Sequence, residues 1–461
     1  MIERFLALAA LCLLIGLPAI SLDGRSLTAR EGHHAMALIG PLELETRLPG
    51  SERTGPQERT EALGAPKGGL AHESPLLRFL RTGAAILGTS ERVLRGICQL
   101  GVLLGTLLLV AICATTGRAA VGFIAPLYLS PLVLRGDGLE PEMWAFLPPA
   151  LLLAGMALLR SRFPWSMLLY AIAGGSAAWL QGRAEWTCII LLLTTPFLLG
   201  RATLGRATLA SSVAALPLVL VRLLELAPTS WASSASAPAL GVRDLAPTAS
   251  IVLLVLFGAT TLACILMAVR GSHSNDQNEG RLLVLFGVLL VANAFPHFQG
   301  FSVSGTDWVA VLPLLSLIFA TTLSGLPRNP GVVFSLGFLL LCGLSGWQVM
   351  KEKAPAPLWL VLEEASEWAE PGGRLLLHGD DRYALLYYSR HGHYPNIPTI
   401  LSPDEGALPD LLKELPDRIR SGSSKPPSIL AYPPLEAPGP FVREEQTALG
   451  LERLRLHESG R

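Results

Sequence analysis

The chain has 461 residues, of which 51% are hydrophobic and 16% charged, well below the roughly 25% charge of an average soluble domain. Its 36 Lys and Arg residues balance its 36 Asp and Glu residues, so no basic field points to nucleic acid as a partner. All six cysteines (Cys12, Cys98, Cys113, Cys188, Cys264 and Cys342) lie in or at the ends of apolar runs. That placement speaks against a disulfide framework or a CxxC metal site and for small apolar residues packed among helices.

Leu-rich runs of about 17 to 22 residues recur down the chain, long enough to cross a hydrocarbon layer of roughly 30 Å. They predict spans over 4–21, 96–115, 118–134, 143–160, 164–180, 186–200, 207–226, 249–269, 282–296, 308–325 and 331–350. The expected fold class is therefore a predominantly α-helical polytopic membrane protein with about 11 transmembrane helices. The first run follows MIER, a pattern that a cleaved signal peptide shares. The run is long for a signal core, however, and no A-x-A site follows it, so a retained anchor is expected.

Directly past this anchor the chain reads LDGRSLTAREGHHA, 22–35, with two acids, two arginines and two adjacent histidines. Adjacent histidines on a helix point about 100° apart and do not readily face one ion. The middle of the 22–95 loop, PGSERTGPQERTEALGAPKGG, is rich in Gly, Pro and charge. Its end, SPLLRFLRTGAAILG, sets Leu76, Leu77, Phe79, Leu80, Ile86 and Leu87 against Arg78 and Arg81. This pattern predicts a helix lying in the membrane interface, with arginines reaching toward headgroups.

Charge placement gives an orientation. With a cytoplasmic N-terminus, the short internal connections carry Arg118, Arg160 and Arg162, Arg201 and Arg206, Arg270 and Arg281, and Arg328. The external connections RGDGLEPEM (135–143) and QGRAEW (181–186) are more acidic, and 296–307 has no Lys or Arg. This positive-inside bias places 22–95 and 351–461 outside the cytoplasm.

The organisation expected is thus a transmembrane domain over 1–350 and an extracytoplasmic α/β domain over 351–461. In the latter, LWLVLEEASEWAEPGG predicts a helix stopped at Pro-Gly-Gly, and RLLLHG (374–379) a buried strand entering a turn. DDRYALLYYSRHG (380–392) predicts a helix from an Asp cap, and PSILAYP (427–433) a second strand. Past about residue 437 the chain is polar and little order is expected.

Several blocks, in order, now match a known pattern: Glu31 in TAREGHHA, then HESPLLRFL, LGTSERVLR and TTGRAAVGFIAPLYLSPLVL. AVLPLLSLIFATTL (310–323) and RLLLHGDDRYALLYYSRHGHYP continue it. Taken together they resemble the GT-C class of integral-membrane glycosyltransferases, in particular the protein O-mannosyltransferase and lipid A aminoarabinose transferase branch. No block is specific alone; the shared order carries the resemblance.

The resemblance implies transfer of a sugar from a polyprenyl-phosphate carrier to a lipid, glycan or protein hydroxyl, outside the cytoplasm in a bacterial inner membrane. The leaving group is already a phosphate, so such a reaction needs a carboxylate for the acceptor hydroxyl and cations for the phosphate. Glu31 falls at the family's first-loop acid and is the expected base. Read from the residues alone it is a solvated loop carboxylate paired with Arg30 or Arg25. Asp137, with Glu140 and Glu142 beside it, falls in a loop where the family often carries a second acid; alone, the cluster reads as a solvated turn. Arg78 and Arg81, with Arg92 and Arg95 beyond, would bind phosphate through their planar forks of donors, or else snorkel to headgroups. His33 and His34 would help hold the acceptor. No resident metal is implied by the ligand spacing, although the chemistry leaves room for a divalent cation. The partners implied are a lipid-linked sugar donor, membrane lipids and an acceptor of unread identity.

The chain departs from its relatives at three places. Their Asp-Glu or His-Glu pair is Arg30-Glu31, their Lys-Pro-Pro is the sequence His72-Glu73-Ser74-Pro75, and the late Lys and Tyr are absent from FSVSGTDWVAVLP. Such losses admit a catalytically degenerate membrane scaffold as an alternative. A transporter fits less well, because no internal repeat is evident and the ionisable residues cluster at the external margins rather than within spans.

Overall fold

The computed structural model describes residues 27, 29–39, 75–115, 139, 141–159, 161–180, 182–198, 204–223, 310, 313, 357–370, 373–379, 381–391, 394, 397–402, 408–420, 428–436 and 440–456. The predicted spans 4–21, 118–134, 249–269, 282–296 and 331–350 lie outside these residues, as does nearly all of 308–325.

The chain divides into two compact units. The first is Met1–Asp23, Glu73–Leu80 and Arg95–Glu352; the second is Gly24–His72, Arg81–Leu94 and Lys353–Arg461. Residues 24–72 and 81–94 of the 22–95 loop therefore belong with the C-terminal segment in the second unit, and 73–80 with the first.

Helices α1 (Ala29–Ile39), α2 (Pro75–Leu87) and α3 (Glu91–Thr115) open the described structure. The break between α2 and α3 is set by Gly88, whose φ of 112° is open to glycine without strain and whose N–H donates to the Ala84 carbonyl at 2.9 Å. A 3-10 turn, Pro141–Phe146, leads into α4 (Leu147–Leu158), followed by α5 (Phe163–Leu180), α6 (Gly182–Leu198) and α7 (Leu204–Leu223). Each expected span within the described residues is thus a helix. By length and composition, Glu91–Leu109 can cross a membrane, and Met143–Leu158 and Leu204–Leu220 are shorter apolar helices.

On α5 and α7 of the first unit, small residues line the buried contact while several large apolar side chains face outward. Ala173, Ala177, Ala207, Ala210 and Ala214 are buried, whereas Trp165, Leu168, Ile172, Leu209, Leu216 and Val219 are exposed. A Cβ at Gly174 would stand 2.9 Å from the Ala214 Cα, so α5 and α7 touch backbone to backbone there. Water would drive the large apolar side chains inward; in lipid there is no such drive, and close backbone approach through small residues dominates instead. Some hydroxyls are satisfied within their own helix, Thr106 donating to the Val102 carbonyl and Thr195 to the Leu191 carbonyl, both at 2.6 Å.

In the second unit, α8 (Trp359–Glu367), β1 (Arg374–Leu377), α9 (Arg382–His391) and β3 (Ile429–Tyr432) fall where the sequence predicts them. Between α9 and β3 lie β2 (Thr399–Leu401) and α10 (Leu408–Arg420), neither of which the sequence reading anticipated. The sheet order is β2-β1-β3-β5-β4, with β4 (Phe441–Gln446) and β5 (Glu452–Leu456). Strand β1 runs parallel to β2 and β3, with Leu375 opposite Ile400 and Leu430. Strand β5 runs antiparallel to β3 and β4.

Leu376, Ile429, Ala431 and Leu454 from one sheet face form a core with Leu415 of α10 and with Leu435 and Phe441. Leu375, Leu377 and Leu430 alternate to the other face and are equally buried.

The expectation of little order after residue 437 is corrected over 440–456. There β5 alternates buried Glu452, Leu454 and Leu456 with the half-buried Arg453 and Arg455. The arginines hide this two-residue period in a simple hydropathy reading. Their stems cover apolar surface while their heads find partners: the Arg453 guanidinium lies 4.7 Å over the Trp368 ring, and Arg455 pairs with Glu444 at 3.0 Å.

Candidate functional site

Of the described candidate residues, Glu31, His33 and His34 lie on α1 in the second unit, and Arg81 reaches its last turn. The buried positions of α1 are Glu31, Gly32, Ala35, Leu38 and Ile39, one face of a helix. Glu31 is 1% exposed, which corrects the reading of a solvated loop carboxylate. The reason is local: Glu31 shares the stripe of Ala35 and Leu38, so burying the apolar stripe buries the acid with it. His33 and His34 follow at about 100° per residue; His33 is exposed and His34 half-buried.

Helix α9 covers this stripe. At Gly32 a Cβ would stand 2.6 Å from the Ala384 Cα, so only glycine permits the approach. Two residues before α1, the buried Leu27 N–H donates to the Tyr388 hydroxyl at 2.6 Å. The Tyr387 hydroxyl donates to the Thr89 carbonyl at 2.8 Å. Tyr388 stacks edge-on against Trp359 and Tyr387, with ring centroids 5.8 and 5.5 Å away.

On the outer side, the His33 and Tyr383 rings meet edge to face at 4.9 Å. The Arg382 guanidinium lies 4.6 Å over the Tyr383 ring and donates to its hydroxyl at 2.8 Å. His33 is thus open on one side and crowded on the other. Loss of hydration on the crowded side, and secondarily the Arg382 charge, push its pKa below the usual 6.5, favouring the neutral imidazole.

Arg81 donates from Nη2 to the Ala37 carbonyl at 2.7 Å. Ala37 lies in the last turn of α1, where carbonyls lack intrahelical donors, and α1 has no basic residue of its own there. Arg81 therefore supplies the charge that this helix end lacks. Arg78, three residues earlier, belongs to the first unit and is exposed. Asp137 and Glu140 lie outside the described residues. Among the described residues, no three His, Cys, Asp or Glu side chains gather as a metal site.

From sequence, RYALLYYSRH carries part of the family resemblance but no site residue. The available signal is Tyr383, Tyr387 and Tyr388 at helical spacing beside Leu385 and Leu386. Helix α1 itself was signalled by Thr28-x-x-Glu31, the spacing of a capping box. In the first unit, Glu185 (6% exposed) and Arg95 (3% exposed) are buried charges; Glu185 was not singled out from sequence.

No family model matches the sequence, and no curated protein is similar to it. Solved structures are similar in fold. ArnT from Cupriavidus metallidurans in the apo state superposes with a TM-score of 0.52 at 14% identity, covering 96% of each chain. ArnT bound to undecaprenyl phosphate gives a TM-score of 0.51 at 14% identity, covering 98% of each chain. The chain has a divergent GT-C fold. The likeness extends nearly end to end, and at 14% identity it is a likeness of fold.

Proposed function

We propose that this protein is a membrane glycosyltransferase that moves a sugar from a polyprenyl-phosphate carrier to a hydroxyl of a lipid, glycan or protein acceptor on the extracytoplasmic side. The observation that supports this reading most is Glu31. It is a buried carboxylate on the first-loop helix, packed under α9, in a chain whose fold matches a protein that binds undecaprenyl phosphate.

In this reading the Glu31 carboxylate takes the proton of the acceptor hydroxyl, or orients that hydroxyl, as its oxygen attacks the anomeric carbon. The bond from that carbon to the phosphate oxygen breaks, and the carrier phosphate leaves with the electron pair. A phosphate leaving group needs little protonation; cationic stabilisation matters more. Arg78, exposed on the interfacial stretch, is the proposed phosphate ligand. Asp137 is the proposed second carboxylate, and Glu140, His33 and His34 are proposed acceptor contacts, on the sequence grounds given above.

The test is incubation of membranes containing the full chain with labelled undecaprenyl-phosphate pentoses and hexoses. Wild type should transfer label, and Glu31→Gln should lose about 10²- to 10⁴-fold of the rate, the usual worth of a positioned base. Undiminished transfer by Glu31→Gln removes Glu31 from the chemistry. Wild-type membranes that transfer from no donor would leave the non-catalytic scaffold as the better reading.

A further inference from the structure

We infer that Tyr388, on α9 of the C-terminal segment, is a positioning residue that sets where Glu31 sits. This rests on the reading of Glu31 as the carboxylate acting on the acceptor.

Helix α1 is fixed to its own unit at three points along its length. The Leu27 N–H, just before its first turn, is held by the Tyr388 hydroxyl at 2.6 Å. Gly32 lies against the Ala384 backbone. The Ala37 carbonyl is held by Arg81 at 2.7 Å. Glu31 lies between the first two of these points, one residue from the Ala384 contact and four from Leu27. A hydrogen bond at the residue ahead of a helix cap fixes the angle at which the chain turns into the helix, as an apolar staple does. Loss of the bond at residue 27 frees the first turn to pivot about the Gly32 contact, and Glu31 is on that turn.

The Tyr388 ring does not explain its hydroxyl. Trp359 and Tyr387 pack against the ring edge-on, and phenylalanine would serve that packing equally. The hydroxyl instead meets a buried backbone N–H 361 residues away in sequence. A contact that spans the chain and ends at the turn bearing the acid couples the C-terminal segment to the placement of that acid.

Tyr388→Phe in the full chain removes the acceptor and keeps the ring. Transfer should be followed with whichever undecaprenyl-phosphate sugar the wild type uses, and binding with undecaprenyl phosphate itself. Misplacement of a reacting group by about 1 Å can cost on the order of a hundredfold. The expected result is therefore a fall in kcat of about tenfold to a hundredfold, with KM for the donor and the Kd of undecaprenyl phosphate within about twofold of wild type. Trp359→Phe, which disturbs the same aromatic stack without touching the hydroxyl, should keep kcat within about twofold.

Unchanged kcat in Tyr388→Phe overturns the inference. So does a fall shared equally by Trp359→Phe and accompanied by an equal loss of thermal stability, because packing alone would produce it. Glu31→Gln separates the two levels. If it is inactive while Tyr388→Phe is normal, only the positioning role fails. If Glu31→Gln is fully active, the base reading fails and the positioning role with it.

Discussion

Gly32 and Ala384 meet backbone to backbone: a Cβ on Gly32 would stand 2.6 Å from the Ala384 Cα and 2.7 Å from its Cβ. Residues 352 positions apart in the chain (384 minus 32) thus bring α1 against α9 at the position next to Glu31.

Gly32→Ala should therefore destabilise the second unit by about 3 kcal/mol, the upper end for overpacking, because the obstructing atoms are backbone and cannot rotate away. Gly96→Ala is the control. Nothing lies within 4 Å of its Cβ position on α3, so alanine should stabilise by about 0.5–1 kcal/mol through helix propensity. Thermal unfolding of the purified variants in detergent distinguishes the two; equal behaviour would mean that α1 and α9 do not meet as described.

Arg81 and Arg78 should separate into different jobs. Because Arg81 Nη2 holds the Ala37 carbonyl, Arg81→Gln should cost about 1 kcal/mol of stability, the scale of a cation at a helix C-terminus. It should leave undecaprenyl phosphate affinity nearly intact. Arg78→Gln should leave stability within about 0.5 kcal/mol, as for an exposed surface position, and should weaken carrier affinity. An unshifted melting curve for Arg81→Gln with weaker carrier binding would assign Arg81 to the phosphate instead.

Stability should fall toward acid pH in two stages. His33 has its pKa depressed by burial of one side and then by Arg382, and His378 has its own depressed by burial. Both hold fewer protons folded than unfolded just below 6.5, so their contribution is full above that value and is lost as pH falls below it. Glu370 is depressed first by the Ser428 backbone N–H, with Arg455 and Arg453 adding smaller effects. Its contribution is present above about 4.5 and is lost as pH falls through its lower folded value. Melting curves between pH 7 and 4 should show both stages, with His33→Gln reducing the first to the part that His378 contributes and Glu370→Gln flattening the second.

Glu452 is 1% exposed on β5, accepts the Leu435 N–H at 3.1 Å and pairs with Arg443 at 2.7 Å. Arg443 is half exposed, so the ion pair is partly screened and the buried N–H carries more of the cost. Glu452→Ala should lose about 2–3 kcal/mol by stranding that N–H, whereas Glu452→Gln should lose about half as much, since its carbonyl still accepts. Equal losses from both variants would assign the stabilisation to the charge rather than to the hydrogen bond.

The sequence alone determined the local elements. Apolar runs gave α3 to α7, large apolar residues set against Arg78 and Arg81 gave α2, and an Asp cap and a Pro-Gly-Gly stop bounded α9 and α8. The order of weak blocks, rather than any one of them, pointed to the GT-C fold. These features are legible because periodicity and capping are properties of neighbouring residues. Tertiary structure decided the rest. A stripe of Glu31, Ala35 and Leu38 shows that one face of α1 will be covered but not what covers it, and nothing near Gly32 in the sequence announces Ala384 against it. Strand β5 hid behind its arginines because the faces of a strand are told apart only once β3 and Trp368 are in place. The link from Leu27 to Tyr388 joins residues whose separation leaves no local trace, so the acid could be named from sequence while the helix that holds it could not.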